Sequence, residues 1–235
     1  MDSITASVSP GWTPALVLRN LSAFAANMLQ LCGVQYWGWD IFQILMLYWM
    51  ETAVIGAWAL LRLAVLPAGL LGEMTVNGQV VAATNKLLLQ LFAPFVVISM
   101  AAHLLILWVV FSGASAADVH GPASFASKFI IASGAWVPLL FTLISGAVGF
   151  YESPKRGSFA WTMRSRTIAV SGNRPADGVG PAIGGTLGRI VLMQVATIIG
   201  GMFARSHGSM APFLILIGSK TVLDYQPPDR KPVAT

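Results

Sequence analysis

The sequence predicts an all-α fold: a polytopic membrane helix bundle of about six transmembrane helices with both termini in the cytoplasm. Composition is the first observation behind this prediction, because 56% of the 235 residues are hydrophobic and only 10% are charged. A soluble domain carries about a quarter charged residues. The second observation is that apolar residues form runs long enough to cross roughly 30 Å of hydrocarbon at about 1.5 Å per residue. This composition excludes intrinsic disorder, and the single Cys32 excludes an intrachain disulfide framework.

A single transmembrane domain, 1–235, is predicted to cross the membrane through six apolar segments: 14–34, 41–66, 87–111, 125–150, 187–204 and 209–225. Arg19, Asn20 and Asn27 interrupt the first segment, so a tilted or partly interfacial helix is an alternative to a full span there. A cleaved signal peptide fits this segment less well. Signal peptides begin with a positively charged region, whereas the residues before this segment include the acidic Asp2 and no basic residue. The last two segments are separated by so few residues that they are predicted to form a tight helical hairpin.

The connections between the segments differ in kind. The first one holds aromatic residues suited to the outer membrane interface, Tyr36, Trp37 and Trp39. The stretch from Pro67 to Lys86 is predicted to be a cytoplasmic loop with a short hairpin. The largest polar segment, 151–186, is predicted to be a cytoplasmic basic loop, part of which lies on the inner leaflet.

The distribution of basic residues sets the predicted orientation. If the chain crosses six times, Lys128 and Arg205 fall on one side and Lys220 lies within a span. Cytoplasmic connections carry an excess of Lys and Arg, so the more basic side is assigned to the cytoplasm. That side holds eleven residues: Arg19, Arg62, Lys86, Lys155, Arg156, Arg164, Arg166, Arg174, Arg189, Arg230 and Lys231. The net charge is +5, but the basic residues do not form a continuous stripe, so no nucleic-acid partner is expected. The expected partner is the lipid bilayer.

Ionisable residues at membrane depth are the candidate functional residues, because each is costly there unless it faces a partner or water. Glu51, His103 and Lys220 lie roughly 15, 12 and 16 Å from the predicted outer ends of their spans. Asn27 is also in the outer half of its span, and Tyr48 shares the helical face of Glu51. Four polar groups on four helices are therefore predicted to lie at one level and to converge.

A second polar group is predicted in the inner half of the membrane. Lys220 and Asp224 are four residues apart on one helical face, while Arg189 and Gln194 enter the fifth segment from the cytoplasmic side. Asp224 could pair with either cation. Two interpretations stay open: neutralising pairs, such as Glu51 with Lys220, fix the helix positions, or the cluster lines a polar cavity for a proton, ion, metal or small ligand.

Several motifs resemble those of an uncharacterised family of prokaryotic polytopic membrane proteins, a domain of unknown function. The most specific parts of this resemblance are two motifs: Tyr-Trp-x-Glu, from Tyr48 to Glu51, and the Lys-x-x-x-Asp ending, from Lys220 to Asp224. The resemblance implies a His near the position of Gln194 and a second His in the third helix, where this sequence has Trp108. These departures weaken any metal site that the resemblance would imply, and it implies no established activity.

Catalytic signatures are missing from the sequence, which has no Gly-x-Ser-x-Gly, His-Glu-x-x-His or Cys-x-x-Cys motif. No catalytic residue, metal site or cofactor is therefore assigned, and an enzyme is disfavoured. The first hypothesis is a small transporter, a proton- or ion-coupled carrier, or a sensor with a polar intramembrane cavity. The alternative is an accessory or assembly subunit that binds membrane-protein partners or forms a homo-oligomer. The expected location is the bacterial cytoplasmic membrane.

Overall fold

The computed structural model describes residues 13–65, 73–76, 79–82, 84–113 and 117–156, together with single positions between 188 and 221. The described elements are helical apart from one short antiparallel hairpin, which lies in the connection where the sequence predicts one. In chain order they are α1 (Pro14–Tyr36), α2 (Ile41–Val65), β1 (Glu73–Val76), β2 (Gln79–Ala82), α3 (Asn85–Phe111), α4 (Pro122–Ala126, continued by a π-helical turn, Ser127–Ala132) and α5 (Trp136–Arg156).

Helices α1, α2 and α3 are each long and apolar enough to cross a membrane, and they overlap the first three predicted segments. Two of them begin at a threonine that caps the first turn. The hydroxyl of Thr13 accepts a hydrogen bond from the backbone N–H of Leu16 at 3.3 Å, and Thr84 does the same for Leu87 at 3.2 Å. The polar residues Arg19, Ser22, Asn27 and Gln30 do not break α1, because they lie on its buried face.

The fourth predicted span differs in the structure. The sequence predicts one span over 125–150, and in the structure residues Pro122–Ala132 and the helix that starts at Trp136 meet there at an angle of 92°. Gly134 adopts a φ of 75°, a left-handed conformation that favours glycine and ends the preceding turn. The indole N–H of Trp39 donates to the backbone oxygen of Ser133 at 2.8 Å and so holds the bend against the start of α2. The predicted fourth span therefore falls on a bent pair of helices.

Helix α2 lies at the centre of the described bundle, packed between α3 and α5, while α1 packs against α5. Helices α2 and α3 are antiparallel. At one end the rings of Phe42 and Trp108 are 5.7 Å apart, and at the other the amide of Asn85 donates to the oxygen of Leu63 at 2.6 Å. Midway, the indole N–H of Trp49 donates to the backbone oxygen of Met100 at 2.8 Å. These contacts fix the register of α2 against α3 and, with it, the level of Glu51.

The outward face of α3 is apolar, as expected of a helix surrounded by lipid. Its inward face buries Phe92, Val96 and Leu107 against α2. Large apolar side chains on the opposite face stay exposed, among them Val97, Ile98, Leu105 and Val109. Because a soluble protein rarely exposes so continuous an apolar surface, this face is typical of a membrane-spanning helix.

Candidate functional site

The carboxylate of Glu51 is the centre of a buried polar cluster. It is 1% exposed, and its oxygens accept hydrogen bonds from two side chains and one ammonium group. The amide nitrogen of Gln30 lies 3.1 and 3.0 Å from the two carboxylate oxygens, and the Thr142 hydroxyl lies 3.2 Å from Oε1. The Nζ atom of Lys220 is 3.2 Å from Oε2. Donors from α1, α5 and the C-terminal part of the chain therefore meet on one acid of α2.

Lys220 has acceptors of its own besides Glu51. Its ammonium group donates to the side-chain oxygen of Asn27 and lies 5.7 Å from the centroid of the Tyr48 ring, within the range of a cation–π contact. The lysine is 4% exposed. A lysine ammonium has three protons and needs negative or electron-rich partners when it is buried. Lys220 has three such partners: the side-chain oxygen of Asn27, the carboxylate of Glu51 and the ring of Tyr48.

Helical spacing explains how the cluster is assembled. Asn27 and Gln30 are three residues apart on α1, as Tyr48 and Glu51 are on α2, and residues at this spacing lie on one helical face. The structure thus brings together four of the predicted site residues, Asn27, Tyr48, Glu51 and Lys220. Gln30 and Thr142 were not among them. A signal for Gln30 was its three-residue spacing from Asn27.

His103 does not join the cluster through any bond within the part of the chain that the structure describes. Its side chain is 4% exposed, and neither ring nitrogen has a hydrogen-bond partner there. It follows Met100 by three residues on the buried face of α3, so it lies roughly 4.5 Å further along the helix than the Trp49–Met100 contact. Contact is thus present between Asn27, Lys220 and Glu51, whereas His103 is buried without a hydrogen-bond partner among the described residues.

The predicted inner-half residues are only partly described. The amide of Gln194 donates to the backbone oxygen of Ser99 at 3.3 Å and lies 3.9 Å from the sulfur of Met100, so it binds α3. Arg189 and Asp224 lie outside the described residues. Over the described ranges, no group of three or more His, Cys, Asp or Glu side chains is placed to hold a metal ion. The chemical groups that this arrangement provides are the buried carboxylate of Glu51 and the ammonium group of Lys220 paired with it.

Comparison with known proteins places the chain in a family without giving it an activity. No curated protein and no solved structure matches the chain significantly. A family model does match, over residues 13–231, and therefore covers α1 to α5 and the positions of both Glu51 and Lys220. The chain belongs to the family of unknown function DUF6498.

Proposed function

We propose that this chain is a small proton- or cation-coupled carrier of a prokaryotic cytoplasmic membrane, with Glu51 and Lys220 as its ion-binding pair. The observation that carries the proposal is the burial of this pair at the meeting point of α1, α2, α5 and the segment of Lys220. A carrier needs a charge that can be neutralised in more than one way inside the membrane. Glu51 can be neutralised by Lys220 or by an ion that takes the place of Lys220.

Stability alone is a weak reason for such a pair to exist. Removing two charges from water costs several kcal/mol for each ion, and replacing a buried pair by apolar side chains is often neutral or stabilising. Ionisable residues inside a membrane are rare, and ion pathways and proton relays are among the functions that they mark. In the proposed carrier, Lys220 competes with the transported ion for Glu51. Lys220 forms an ion pair with Glu51 while the transported ion is absent, and binding of the ion displaces Lys220.

Two described contacts bring the C-terminal part of the chain against α3. Ile190 packs in the same apolar cluster as Leu88, Val96 and Met100. Gln194 donates to the backbone oxygen of Ser99. A fifth helix beside α3, as the predicted topology has it, is compatible with these contacts.

The proposed topology predicts a difference in labelling between two connections. With Cys32 replaced by Ala, a cysteine introduced at Ser115 should react with a membrane-impermeant thiol reagent added to intact cells. A cysteine at Ser171 should react only after the cells are opened, since the basic loop 151–186 is placed in the cytoplasm. Equal labelling of both positions in intact cells would reject the proposed orientation.

Ion flux tests the carrier directly. Purified protein in liposomes should pass protons or Na⁺ under an imposed potential, and Glu51→Gln should abolish this flux because a neutral amide cannot release a proton and lacks the negative charge that balances a bound cation. The matched control is Asp118→Asn, the same chemical change at an exposed acid of another connection. There Lys128 lies 2.8 Å away and holds the pKa of Asp118 below its usual value. Flux in the control should equal that of the parent protein. Flux that survives Glu51→Gln would place the pathway elsewhere.

The second candidate function is an accessory or assembly subunit, and the exposed face of α3 is the observation that favours it. Val97, Ile98, Leu105 and Val109 form an apolar surface that suits another transmembrane helix as well as it suits lipid. The partner would be a different membrane protein or a second copy of this chain. Purification in native lipid followed by mass measurement distinguishes the two functions, because a subunit should retain its partner and a carrier should not require one.

A further inference from the structure

The hydrogen bonds around Glu51 can reverse their direction. Gln30 now points its amide nitrogen at both carboxylate oxygens, at 3.1 and 3.0 Å. Its other polar atom, the buried Oε1, has no hydrogen-bond partner among the described residues. Rotating a side-chain amide by half a turn exchanges its donor and acceptor ends. Gln30 can therefore donate to a charged Glu51 or accept from a protonated one without any movement of the backbone.

Thr142 offers the same choice through its hydroxyl group. Its Oγ1 atom lies 3.2 Å from Oε1 of Glu51 and 3.1 Å from the backbone oxygen of Pro138. A hydroxyl carries one proton and can serve only one of these acceptors at a time. When Glu51 is charged, the proton of Thr142 stabilises the carboxylate. If Glu51 is protonated, Thr142 can turn its proton to Pro138 and accept the new hydrogen bond from the acid.

We propose that the ion bound at Glu51 is a proton, and that Gln30 and Thr142 are positioning residues that accommodate both protonation states of the acid. This inference rests on the proposed carrier function and specifies its ion. A proton from water adds to a carboxylate oxygen, and the ion pair with Lys220 is lost. Lys220 keeps its own proton, its bond to Asn27 and its contact with the Tyr48 ring. The net charge of the pair then rises from zero to plus one.

A metal cation fits the same surroundings poorly. Hard cations such as Ca²⁺ need about six to eight oxygen ligands. Among the described residues, Thr142 places a hydroxyl oxygen against Glu51, Gln30 could turn its amide oxygen toward it, and the oxygen of Asn27 is bonded to Lys220. The ammonium group of Lys220 lies 3.2 Å from the carboxylate and would repel a metal ion. A proton needs one oxygen and one hydrogen-bond acceptor, which Gln30 or Thr142 supplies.

Other charged or titratable groups face this region from the neighbouring helices. Lys220 is the charge in contact with Glu51, and Tyr48 lies one turn away on the same helix. Helix α1 contributes Arg19 on its buried face, eleven residues before Gln30 and roughly 16 Å along the helix. Helix α3 contributes the buried His103, and on α5 the described Tyr151 is exposed. Among these described groups, Lys220 is therefore the charge that contacts Glu51.

Infrared difference spectroscopy of the full chain in lipid nanodiscs tests the inference. Between about pH 4 and 10 protonated carboxyl absorption should grow as the pH falls, and the band that is lost in Glu51→Gln is assigned to Glu51, since the other carboxyl groups remain in that variant. A hydrogen-bonded carboxyl absorbs at lower wavenumber than a free one. The band should therefore move to higher wavenumber in Gln30→Met and in Thr142→Val, while Thr142→Ser, which keeps the hydroxyl, should restore the position seen in the parent protein.

The possible results separate this inference from the carrier function. No Glu51-dependent band at any pH, or a band that Na⁺ removes at constant pH, would overturn the assignment of the proton. A band that keeps its position in both Gln30→Met and Thr142→Val would overturn the roles of these two residues. If one variant does not fold, the other still decides this point. The spectrum requires no transport, so missing flux would count against the carrier and leave the proton site standing.

Discussion

Single replacement of either member of the buried ion pair should strongly destabilise the protein, and replacement of both should restore part of the loss. Glu51→Gln leaves Lys220 charged and buried, and Lys220→Met leaves Glu51 in the same position. An uncompensated buried charge costs about 3 to 5 kcal/mol, unless the remaining group loses its charge through a pKa shift. The measurement is thermal unfolding in detergent for the two single variants and the double variant.

A second ion pair provides the matched control. Lys128 and Asp118 are 2.8 Å apart, but their side chains are 30% and 77% exposed. Asp118→Asn, Lys128→Met and their combination should therefore change the unfolding temperature little, since water solvates whichever charge remains. Losses at Glu51 and Lys220 that simply add in the double variant would show that the two side chains do not interact in the membrane.

Gly33→Ala should produce the second large loss of stability. A Cβ atom at Gly33 of α1 would overlap the indole ring of Trp39, and the ring cannot easily move because its N–H is bonded to the oxygen of Ser133 at 2.8 Å. Overpacking of this kind costs about 1 to 3 kcal/mol. Part of that cost should appear as a loosened bend between α4 and α5, since Trp39 holds Ser133. Thermal unfolding, together with the change in tryptophan fluorescence, measures both effects.

Gly188→Ala is the control for this substitution. No atom of the described residues lies within 4 Å of the place that its Cβ would take. Alanine favours the helix over glycine by about 0.5 to 1 kcal/mol, so this variant should be unchanged or slightly more stable. A similar response at both glycines would mean that Trp39 moves aside freely and does not anchor the bend.

The parts of the fold that follow from hydropathy could be predicted from the sequence. Helices α1, α2 and α3 coincide with the first three apolar segments because length and apolar content are local properties. The bend after Ala132 could not be placed this way. Ser133 and Gly134 interrupt an otherwise apolar run only briefly, and the bond that holds the bend comes from Trp39, which is distant in sequence.

In the site, the depth of a residue along its helix could be predicted from the sequence, but the direction of its side chain could not. Glu51 and Lys220 could be identified because charges inside an apolar segment are rare, and counting residues along a helix gives their depth. Depth does not tell which way a side chain points. The sequence therefore could not show that His103 lacks a hydrogen-bond partner among the described residues, and Thr142 was missed because an uncharged hydroxyl is ordinary in a span until its neighbour is known.

The Trp39–Ser133 bond also has an electrical consequence, since it ties the starts of α2 and α5 to one level. Glu51 is ten residues beyond the start of α2, and Thr142 is six residues beyond the start of α5. These separations correspond to roughly 15 and 9 Å, or about two-fifths of the hydrocarbon thickness on average. In the proposed carrier, with the starts of α2 and α5 at the boundary of the hydrocarbon, a proton that reaches Glu51 from that side would cross about two-fifths of the membrane potential, roughly 1 kcal/mol for each 100 mV. The remaining three-fifths would act on its release to the other side, so the voltage would divide unevenly between binding and release.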